Sequence, residues 1–371
     1  MSLIVAKFGG TSVASPERIK NVAKRLVGMR QQGHRVVAVV SAMGKTTDEL
    51  MGLASAVTSN PPARELDRLL STGEQVSMTL LAMAIGELGY KAMSFTGRQA
   101  GIETDGIHNK AKIVKVHNER ILAALDDGAI PVVAGFQGID ANGDITTLGR
   151  GGSDTSAVAI CAALKGDECL IYTDVDGVYT TDPRIVPKAR RLDRVSYEEM
   201  LEMASLGAKV LQVRSVELAM MHRVPTYVRS SFDDPADPKL GTLICDEEDI
   251  MEQQVVTGIA YSRDEAQITL RDIADKPGIA ASIFVPLADA NINVDMIIQV
   301  VSGDQVTTDI TFTVPTADFD RARAILDSQR DAVRSETESA VQALTAAADA
   351  AREAAEAHAA AARAAVEELN E

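Results

Sequence analysis

The chain is poor in the residues that build disulfide-rich and metal-stapled domains: its 371 residues include three Cys, five His and no Trp. Cys161, Cys169 and Cys245 are too few and too scattered for a disulfide framework or a cysteine metal site, which favours a reducing compartment. The histidines show no spacing typical of zinc ligands. No apolar run reaches the roughly 20 residues of a membrane-spanning helix, and the apolar start at Leu3 to Ala6 is too short for a signal peptide. We therefore expect a soluble, cytoplasmic protein.

Positive charge is scarce as well, with 37 Lys and Arg against 53 Asp and Glu and a formal net charge of −16. A field of this sign repels nucleic acid and anionic membranes, so neither is an expected partner. An anionic substrate would need a local basic pocket. The chain length predicts two or three domains.

The stretch Thr146–Thr155, TTLGRGGSDT, has the composition of an anion-binding turn. It follows a β-branched strand, Ile130–Phe136, and precedes a helical pattern, Ser156–Leu164. Ser153 or Asp154 is predicted as the N-cap, and glycines at a helix start with a nearby arginine suit a phosphate or a carboxylate. Asp154 would not bind an anion directly and fits better as a partner of a metal or a lysine. The alternative is an ordinary glycine-rich turn.

The N-terminal segment shows a similar arrangement. Leu3–Phe8 is a predicted buried strand, Gly9 to Ser12 form a turn, and Ser15 is the predicted N-cap of a helix with Pro16 at its first position. Lys7 ends the strand, where its ammonium could reach phosphates bound at the turn. An ordinary strand-to-helix loop is again the alternative. The Walker pattern does not occur, which excludes a P-loop enzyme.

Strands and helices alternate along the first two thirds of the chain, from a second buried strand at Arg35–Val40 to a helix at Lys209–Met221. This alternation predicts a mainly parallel sheet with ligands at the carboxyl ends of its strands. Five polar residues lie at predicted strand ends and should form one site: Lys7, Ser41, Thr96, Arg150 and Thr173. Glu74 opens the apolar helix Gln75–Leu88, where it could bind an amine or simply favour the helix dipole.

The pattern changes near residue 255. Strands are predicted at Val255–Ala260 and Ala266–Leu270, and the β-α-β-β-α order that begins with the second of them predicts a small ferredoxin-like layer. Residues 331–371 contain no Gly or Pro and are rich in Ala, which predicts a helix that either packs on a partner or stays mobile. The predicted domains are 1–245, a linker and strand at 246–262, the small layer at 263–330 and the helical tail at 331–371.

Six segments together resemble the aspartokinases: KFGGTSV (7–13), SAMGKTTDEL (41–50), STGEQ (71–75), TTLGRGGSDT (146–155), TDVDGVYTTDPR (173–184) and SLGAKVL (205–211). The fifth is shared by the wider amino-acid-kinase superfamily. DKPG and NINVDMIIQ resemble the first regulatory ACT domain of the threonine- and lysine-inhibited type. The resemblance covers about residues 1–330 and implies an α/β amino-acid-kinase fold, with the parallel sheet between helix layers, plus an ACT domain.

The resemblance also implies an activity, the phosphorylation of the side-chain carboxylate of L-aspartate by ATP with magnesium, as the first step of lysine, threonine and methionine biosynthesis. It assigns catalysis to Lys7 and Asp154, and substrate binding to Ser41, Thr47, Glu74 and Arg150. It assigns nucleotide binding to Lys7, Gly9, Gly10, Ser12, Gly151, Gly152, Ser153, Thr173, Asp174, Tyr179, Asp182, Arg184 and Lys209. Effector contacts are implied for Asp275, Gly278, Ala280 and Gln299, with threonine or lysine as the inhibitor and no metal held by protein ligands alone. A homo-oligomer, such as a dimer, or a separate regulatory subunit is the implied assembly.

One departure and two alternatives accompany the resemblance. The family continues into a second ACT domain, where this chain has the Ala-rich segment 331–371, and this bears on both feedback inhibition and the ACT-mediated dimer. The alternatives are another small-acid kinase of the same superfamily, such as acetylglutamate kinase, and a catalytically inactive sensor that binds an amino acid through the ACT layer.

Overall fold

The computed structural model describes residues 2–208, 210–234, 241–250, 256–261, 264–301 and 307–328, and the chain divides into two compact units, Met1–Tyr261 and Ser262–Glu371. Lys209 and the predicted helical tail at 331–371 lie outside the described residues. The predicted linker boundaries, 246–262, stay a prediction.

The first unit alternates strands and helices as predicted. Its strands are β1 (Leu3–Phe8), β2 (Arg35–Val40), β3 (Ala92–Phe95), β4 (Ile102–Thr104), β5 (Ile113–Val116), β6 (Ile130–Ala134), β7 (Gln137–Ile139), β8 (Ile145–Thr147), β9 (Glu168–Thr173), β10 (Arg194–Ser196), β11 (Thr226–Ser230) and β12 (Thr242–Cys245). Its helices are α1 (Pro16–Gln31), α2 (Thr46–Val57), α3 (Ala63–Leu70), α4 (Thr72–Glu87), α5 (Glu119–Asp126), α6 (Gly152–Leu164), α7 (Tyr197–Ser205) and α8 (Val213–His222).

The main sheet has eight strands in the order β10-β12-β11-β9-β1-β2-β6-β3. Only the β11–β12 pair among the described strands of this sheet is antiparallel. β1 and β2 are almost fully buried, because helices cover both faces of the sheet in two hydrophobic clusters. The mainly parallel α/β architecture is therefore confirmed. A second, four-stranded sheet, β5-β4-β7-β8, carries the hairpin that leads into α6.

Helix starts follow the predicted capping in one case and depart from it in another. Ser15 caps α1, because its side chain accepts from the Arg18 N–H, with Pro16 at the first position. The N-cap of α6 is Gly151, not Ser153 or Asp154, which lie in the first turn. Gly151 takes a left-handed conformation, φ 70°, that glycine adopts without steric cost.

Two further predictions about this unit were wrong. The predicted helix Lys209–Met221 begins only at Val213, after a turn, and ends at His222. The predicted strand Val255–Ala260 has no strand structure in its described part, 256–260. There, the Ile259 N–H donates to the Thr180 carbonyl at 2.7 Å, so the segment is tied to a loop of the first unit and not to a sheet.

The second unit has the predicted β-α-β-β-α order: β13 (Glu265–Ala274), α9 (Ile279–Asp289), β14 (Asp295–Val301), β15 (Thr307–Pro315) and helix over 319–328. The strands form an antiparallel sheet in the order β13-β15-β14. β13 is longer than the predicted Ala266–Leu270, because it continues past an irregularity between Leu270 and Ile273. Apolar side chains of α9, β15 and the last helix form a separate core.

None of the helices in the described ranges combines the length and the apolarity that crossing a bilayer requires. All three cysteines are buried and free.

Candidate active site

The carboxyl ends of five neighbouring strands are joined in a row by backbone hydrogen bonds. The Gly135 N–H donates to Val40, Ser41 to Phe8, Gly9 to Tyr172, and Ser231 to Thr173, at distances of 2.9 to 3.1 Å. These bonds connect the loops that follow β6, β2, β1, β9 and β11. Loops that are far apart in sequence therefore meet at one edge of the sheet, where the strand order predicts a ligand site.

Lys7 and Asp154 form a buried ion pair at this edge. Lys7 Nζ lies 2.6 Å from Asp154 Oδ1, and both residues are 8% exposed. Lys7 is at the end of β1 and Asp154 in the first turn of α6, so the pair links the first strand to the glycine-rich turn. The sequence predicted Asp154 as a partner of a metal or a lysine, and the structure places it against Lys7. Among the described residues, Asp154 Oδ1 has no polar partner other than this ammonium.

The turn after β1 places polar groups beside this ion pair. A Cβ at Gly9 would lie 3.5 Å from Lys7 Nζ, and one at Gly10 would lie 2.9 Å from the Ala42 carbonyl oxygen. Ser12 is buried, and its Oγ has no hydrogen-bond partner. The backbone at Gly9 therefore lies against the Lys7 ammonium, and Gly10 is required by the close approach of the loop after β2.

The glycines at the start of α6 are also required by packing. A Cβ at Gly151 would lie 1.6 Å from Gln212 Cγ, and a Cβ at Gly152 would lie 2.8 Å from Leu148 Cβ. These two positions therefore require glycine for packing, and not only to give a ligand access to the backbone. The start of α6 still lies beside the end of the sheet that carries Lys7, because Asp154 in its first turn contacts that residue.

Glu74 is a buried carboxylate with one oxygen available. It lies in the first turn of α4, is 3% exposed, and its Oε1 accepts the Ala42 N–H at 3.1 Å, while Oε2 has no hydrogen-bond partner. Burial raises the pKa of Glu74 to about 7, and the backbone N–H groups of Glu74 and Ala42 oppose this shift only in part. The Ser77 hydroxyl, one turn on, donates to the Ser41 carbonyl at 2.7 Å, so α4 and the loop after β2 are joined at two points.

Unsatisfied buried polar atoms are concentrated in these loops. Besides Asp154 Oδ1, which the Lys7 ammonium contacts, six side-chain atoms in the described ranges are buried without a hydrogen bond, and three of them lie in the strand-end loops or the helix starts beside them: Ser12 Oγ, Glu74 Oε2 and Ser231 Oγ. Since buried polar groups are normally satisfied, such a concentration indicates the position of a polar ligand.

The other predicted substrate and nucleotide residues are less closely gathered. Arg150 is exposed and forms no hydrogen bond or ion pair with any described residue, and Thr47 is half-buried in the first turn of α2. Thr96 lines a cavity of about 240 Å³ with Arg98 and Gln137, and none of the other four strand-end residues lines that cavity. The structure therefore does not establish that Thr96 joins the other four predicted strand-end residues in one site.

The predicted nucleotide residues after β9 are held in place mainly by one another. The Thr173 hydroxyl donates to Asp174 Oδ1 at 3.1 Å, and the Tyr179 hydroxyl donates to Asp176 at 3.0 Å. Arg184 forms an ion pair of 2.8 Å with Asp182, which lowers the pKa of that carboxyl. Thr173 adjoins the loop that carries Gly9 through the row of backbone bonds described above.

The predicted effector residues lie in the second unit. Gln299 Nε2 donates to Asp275 Oδ1 at 3.2 Å, so two of the four are in contact. Gly278 is the left-handed N-cap of α9, with φ 95°, and Ala280 is exposed on the first turn.

Sequence reasoning missed two buried charged residues that support this edge. Arg25 of α1 stacks over the Tyr172 ring, 4.8 Å from its centroid, and donates to the Asp233 carbonyl at 2.5 Å. Asp67 of α3 is completely buried. The available signal for Asp67 was its position three residues before Leu70, on the buried face of a short helix.

A metal site built from protein ligands alone is absent from the described ranges, since no group of three or more His, Cys, Asp or Glu is arranged to hold an ion. Asp154 alone still fits a magnesium–phosphate complex, because magnesium commonly keeps its waters and uses one or two carboxylates with substrate phosphates.

Residues 2–230 match the model of the amino acid kinase family, and residues 271–329 match that of an ACT domain. The aspartate kinase of Pseudomonas putida is 54% identical over 329 residues, which cover 88% of this chain and 79% of that protein. The solved aspartate kinase from Synechocystis is 43% identical with a TM-score of 0.60, and the match covers 90% of this chain but 56% of the other. E. coli aspartokinase III, solved with aspartate and ADP and with lysine and aspartate, is 26% identical with TM-scores of 0.66 and 0.63, covering 85% of this chain and 79% of that one.

Proposed function

This chain belongs to the aspartokinases and is an aspartate kinase, and we propose that the edge of the sheet around Lys7 and Asp154 is where it transfers the γ-phosphoryl group of ATP to the side-chain carboxylate of L-aspartate. A carboxylate oxygen attacks the γ-phosphorus, the bond from phosphorus to the β–γ bridging oxygen breaks, and ADP and 4-phospho-L-aspartate result. The observation that carries the assignment is the concentration of buried, unsatisfied polar atoms beside the Lys7–Asp154 pair.

The reaction brings a carboxylate and a triphosphate together, so it requires positive charge and backbone donors more than a strong base. The Lys7 ammonium faces the transferring phosphoryl group, and Asp154 holds that ammonium in place. The phosphates bind at Gly9, Gly10 and Ser12, whose hydroxyl is free to donate, and at the first turn of α6, residues Gly151 to Ser153. Magnesium, when bound with ATP, neutralises phosphate charge, and Asp154 is the side chain that would hold it.

The substrate is held through its charged groups. The free Oε2 of Glu74 accepts the α-ammonium of aspartate, and Arg150 binds a carboxylate, with Ser41 and Thr47 supporting this pocket. Thr173, Asp174, Tyr179, Asp182 and Arg184 bind the nucleotide in this proposal. Lys209 has the same proposed role.

Regulation is part of the same proposal. Asp275, Gly278, Ala280 and Gln299 of the ACT domain contact threonine or lysine, and inhibition acts on a homo-oligomer or on a complex with a regulatory subunit. Support comes from the ACT match and from the lysine complex of E. coli aspartokinase III. The product feeds lysine, threonine and methionine biosynthesis, and the enzyme works in the cytoplasm.

The defining experiment is the trapping of an acyl phosphate by hydroxylamine with purified protein, ATP and magnesium. We expect the hydroxamate to form with L-aspartate, and turnover with L-glutamate or N-acetyl-L-glutamate to be at least about 100-fold slower, because a site with fixed charged partners rejects an acid of different length. Faster reaction with N-acetyl-L-glutamate would identify a different small-acid kinase. If no hydroxamate forms with any of the three acids, the result supports the alternative function, a sensor that binds an amino acid without catalysis.

Arg150→Ala is expected to raise the KM for aspartate by about 30-fold or more and to change the KM for ATP by less than about threefold. Truncating one partner of a charged contact weakens that contact by 2 kcal/mol or more, and the Arg150 guanidinium is free of protein partners in the described structure. Steady-state kinetics with each substrate varied in turn measures both constants. A rise in the KM for ATP alone would place Arg150 in the nucleotide site.

A further inference from the structure

Asp67 forms a buried junction between α3, the end of β8 and the loop between β4 and β5. Its Oδ1 accepts the Thr147 hydroxyl at 2.5 Å, and its Oδ2 lies 2.7 Å from His108 Nδ1. The Asn109 N–H lies 3.1 Å from both oxygens. Asp67 has no exposed surface, so its carboxylate serves these protein groups and not solvent or a ligand.

The chain that leaves this junction is fixed by further bonds. The Thr147 carbonyl accepts the Ala111 N–H at 2.9 Å, and the Leu148 N–H donates to the Phe136 carbonyl at 2.9 Å. Arg214 of α8 donates to the carbonyl oxygens of Leu148 at 2.7 Å and of Ala111 at 2.9 Å. The backbone from 147 to 148 is therefore held from three directions.

Gly149 is pressed against the second segment that Asp67 holds. Its φ is 78°, and a Cβ there would lie 2.9 Å from the Asn109 carbonyl oxygen. Arg150 follows directly, exposed and without a hydrogen bond to any described residue. Since no contact of its own side chain fixes Arg150, its position depends on the backbone that Thr147 and Asn109 hold.

We propose that Asp67 is a positioning residue for Arg150: through the Thr147 hydroxyl and the Asn109 N–H, it sets where the guanidinium meets the carboxylate of the substrate. This inference rests on the proposed role of Arg150 in binding aspartate. It assigns a function to a buried carboxylate that contacts neither substrate nor nucleotide. A guanidinium–carboxylate contact depends on geometry, so a shift of the supporting backbone weakens substrate binding without altering the phosphoryl-transfer groups.

Thr147→Val tests the junction because it keeps the shape of the side chain and removes the hydroxyl that donates to Asp67. We expect the KM for aspartate to rise about tenfold, with kcat and the KM for ATP within about twofold of the parent. Thr147→Ser, which restores a hydroxyl, should return the KM to within about threefold. The matched control is Thr146→Val, since Thr146 is the buried neighbour whose hydroxyl lies 2.7 Å from that of Thr104 and does not touch Asp67.

Combination with Arg150→Ala separates this inference from the proposed function. In the Arg150→Ala protein, Thr147→Val should have no further effect on the KM for aspartate, because it acts through the missing guanidinium. If Arg150→Ala alone leaves this KM at the parent value, the proposed role of Arg150 is wrong. If Arg150→Ala raises the KM for aspartate but Thr147→Val changes this KM no more than Thr146→Val does, the positioning role of Asp67 is wrong. It is also wrong if Thr147→Val still raises the KM tenfold in the Arg150→Ala protein. Asp67→Asn, judged by the same outcomes, replaces Thr147→Val if that variant does not fold.

Discussion

Lys7→Met and Asp154→Asn are each expected to lower kcat by about 10²-fold or more, while the protein still folds. Removal of one preorganised group that faces developing charge typically costs 10²- to 10³-fold in rate. Lys7 and Asp154 form the buried ion pair at the end of β1, through Lys7 Nζ and Asp154 Oδ1. Hydroxamate formation with saturating aspartate and ATP measures kcat, and circular dichroism verifies folding.

Stability measurements separate a catalytic role from a structural one. Each single variant leaves an uncompensated buried charge and should lose about 3 kcal/mol of unfolding free energy, whereas the double variant removes both charges and should regain most of it. Turnover of the double variant should stay low. The matched control is Lys91→Met, because Lys91 forms an exposed ion pair with Asp127 and should change neither property. Recovery of turnover together with stability in the double variant would show that the pair is only structural.

Glu74→Gln is expected to raise the KM for aspartate by about 10²-fold, since the loss of one member of a buried charge pair weakens binding by 2–5 kcal/mol. Glutamine keeps an acceptor for the Ala42 N–H but offers no negative charge at the atom that corresponds to Oε2. Because the pKa of Glu74 is about 7, kcat/KM for aspartate in the parent protein should rise as the pH increases through 7. The variant should lack this dependence. Glu87→Gln, an exposed change at the end of the same helix, is the control.

The same substitution should stabilise the protein without substrate. A carboxyl whose pKa is raised from 4.5 to about 7 by burial binds its proton more tightly in the folded state, so stability falls as the pH increases from 4.5 to 7. Ionised Glu74 therefore costs on the order of 3 kcal/mol above pH 7. Glu74→Gln should gain part of this at pH 8 and progressively less toward pH 4.5, as measured by urea unfolding. An equal effect at pH 8 and pH 5 would mean that Glu74 does not change its protonation state in this range, which contradicts a pKa raised by burial.

The composition and periodicity of the chain determined its class of fold and much of its element order. Buried strands at Leu3–Phe8 and Arg35–Val40 and a capped helix after Ser15 are local consequences of side-chain pattern, and the structure confirms them. Predictions from the sequence failed where one local pattern was compatible with two structures. Ser153 and Asp154 are good N-caps, but the helix starts at Gly151, which takes a left-handed conformation and lies too close to Gln212 for a side chain.

Glycine turns, strand ends and the charged residues beside them indicated the candidate site, because these are short-range features of the sequence. The tertiary structure alone decided which of those residues meet. It paired Lys7 with Asp154, which lie on different elements far apart in the chain, and it buried Glu74 deeply enough to raise the pKa of its carboxyl. It also placed Asp67 against Thr147, a contact with no local signature. Sequence pattern reports the environment of a residue along its own helix or strand, whereas ion pairs and desolvation depend on what the rest of the chain brings to it.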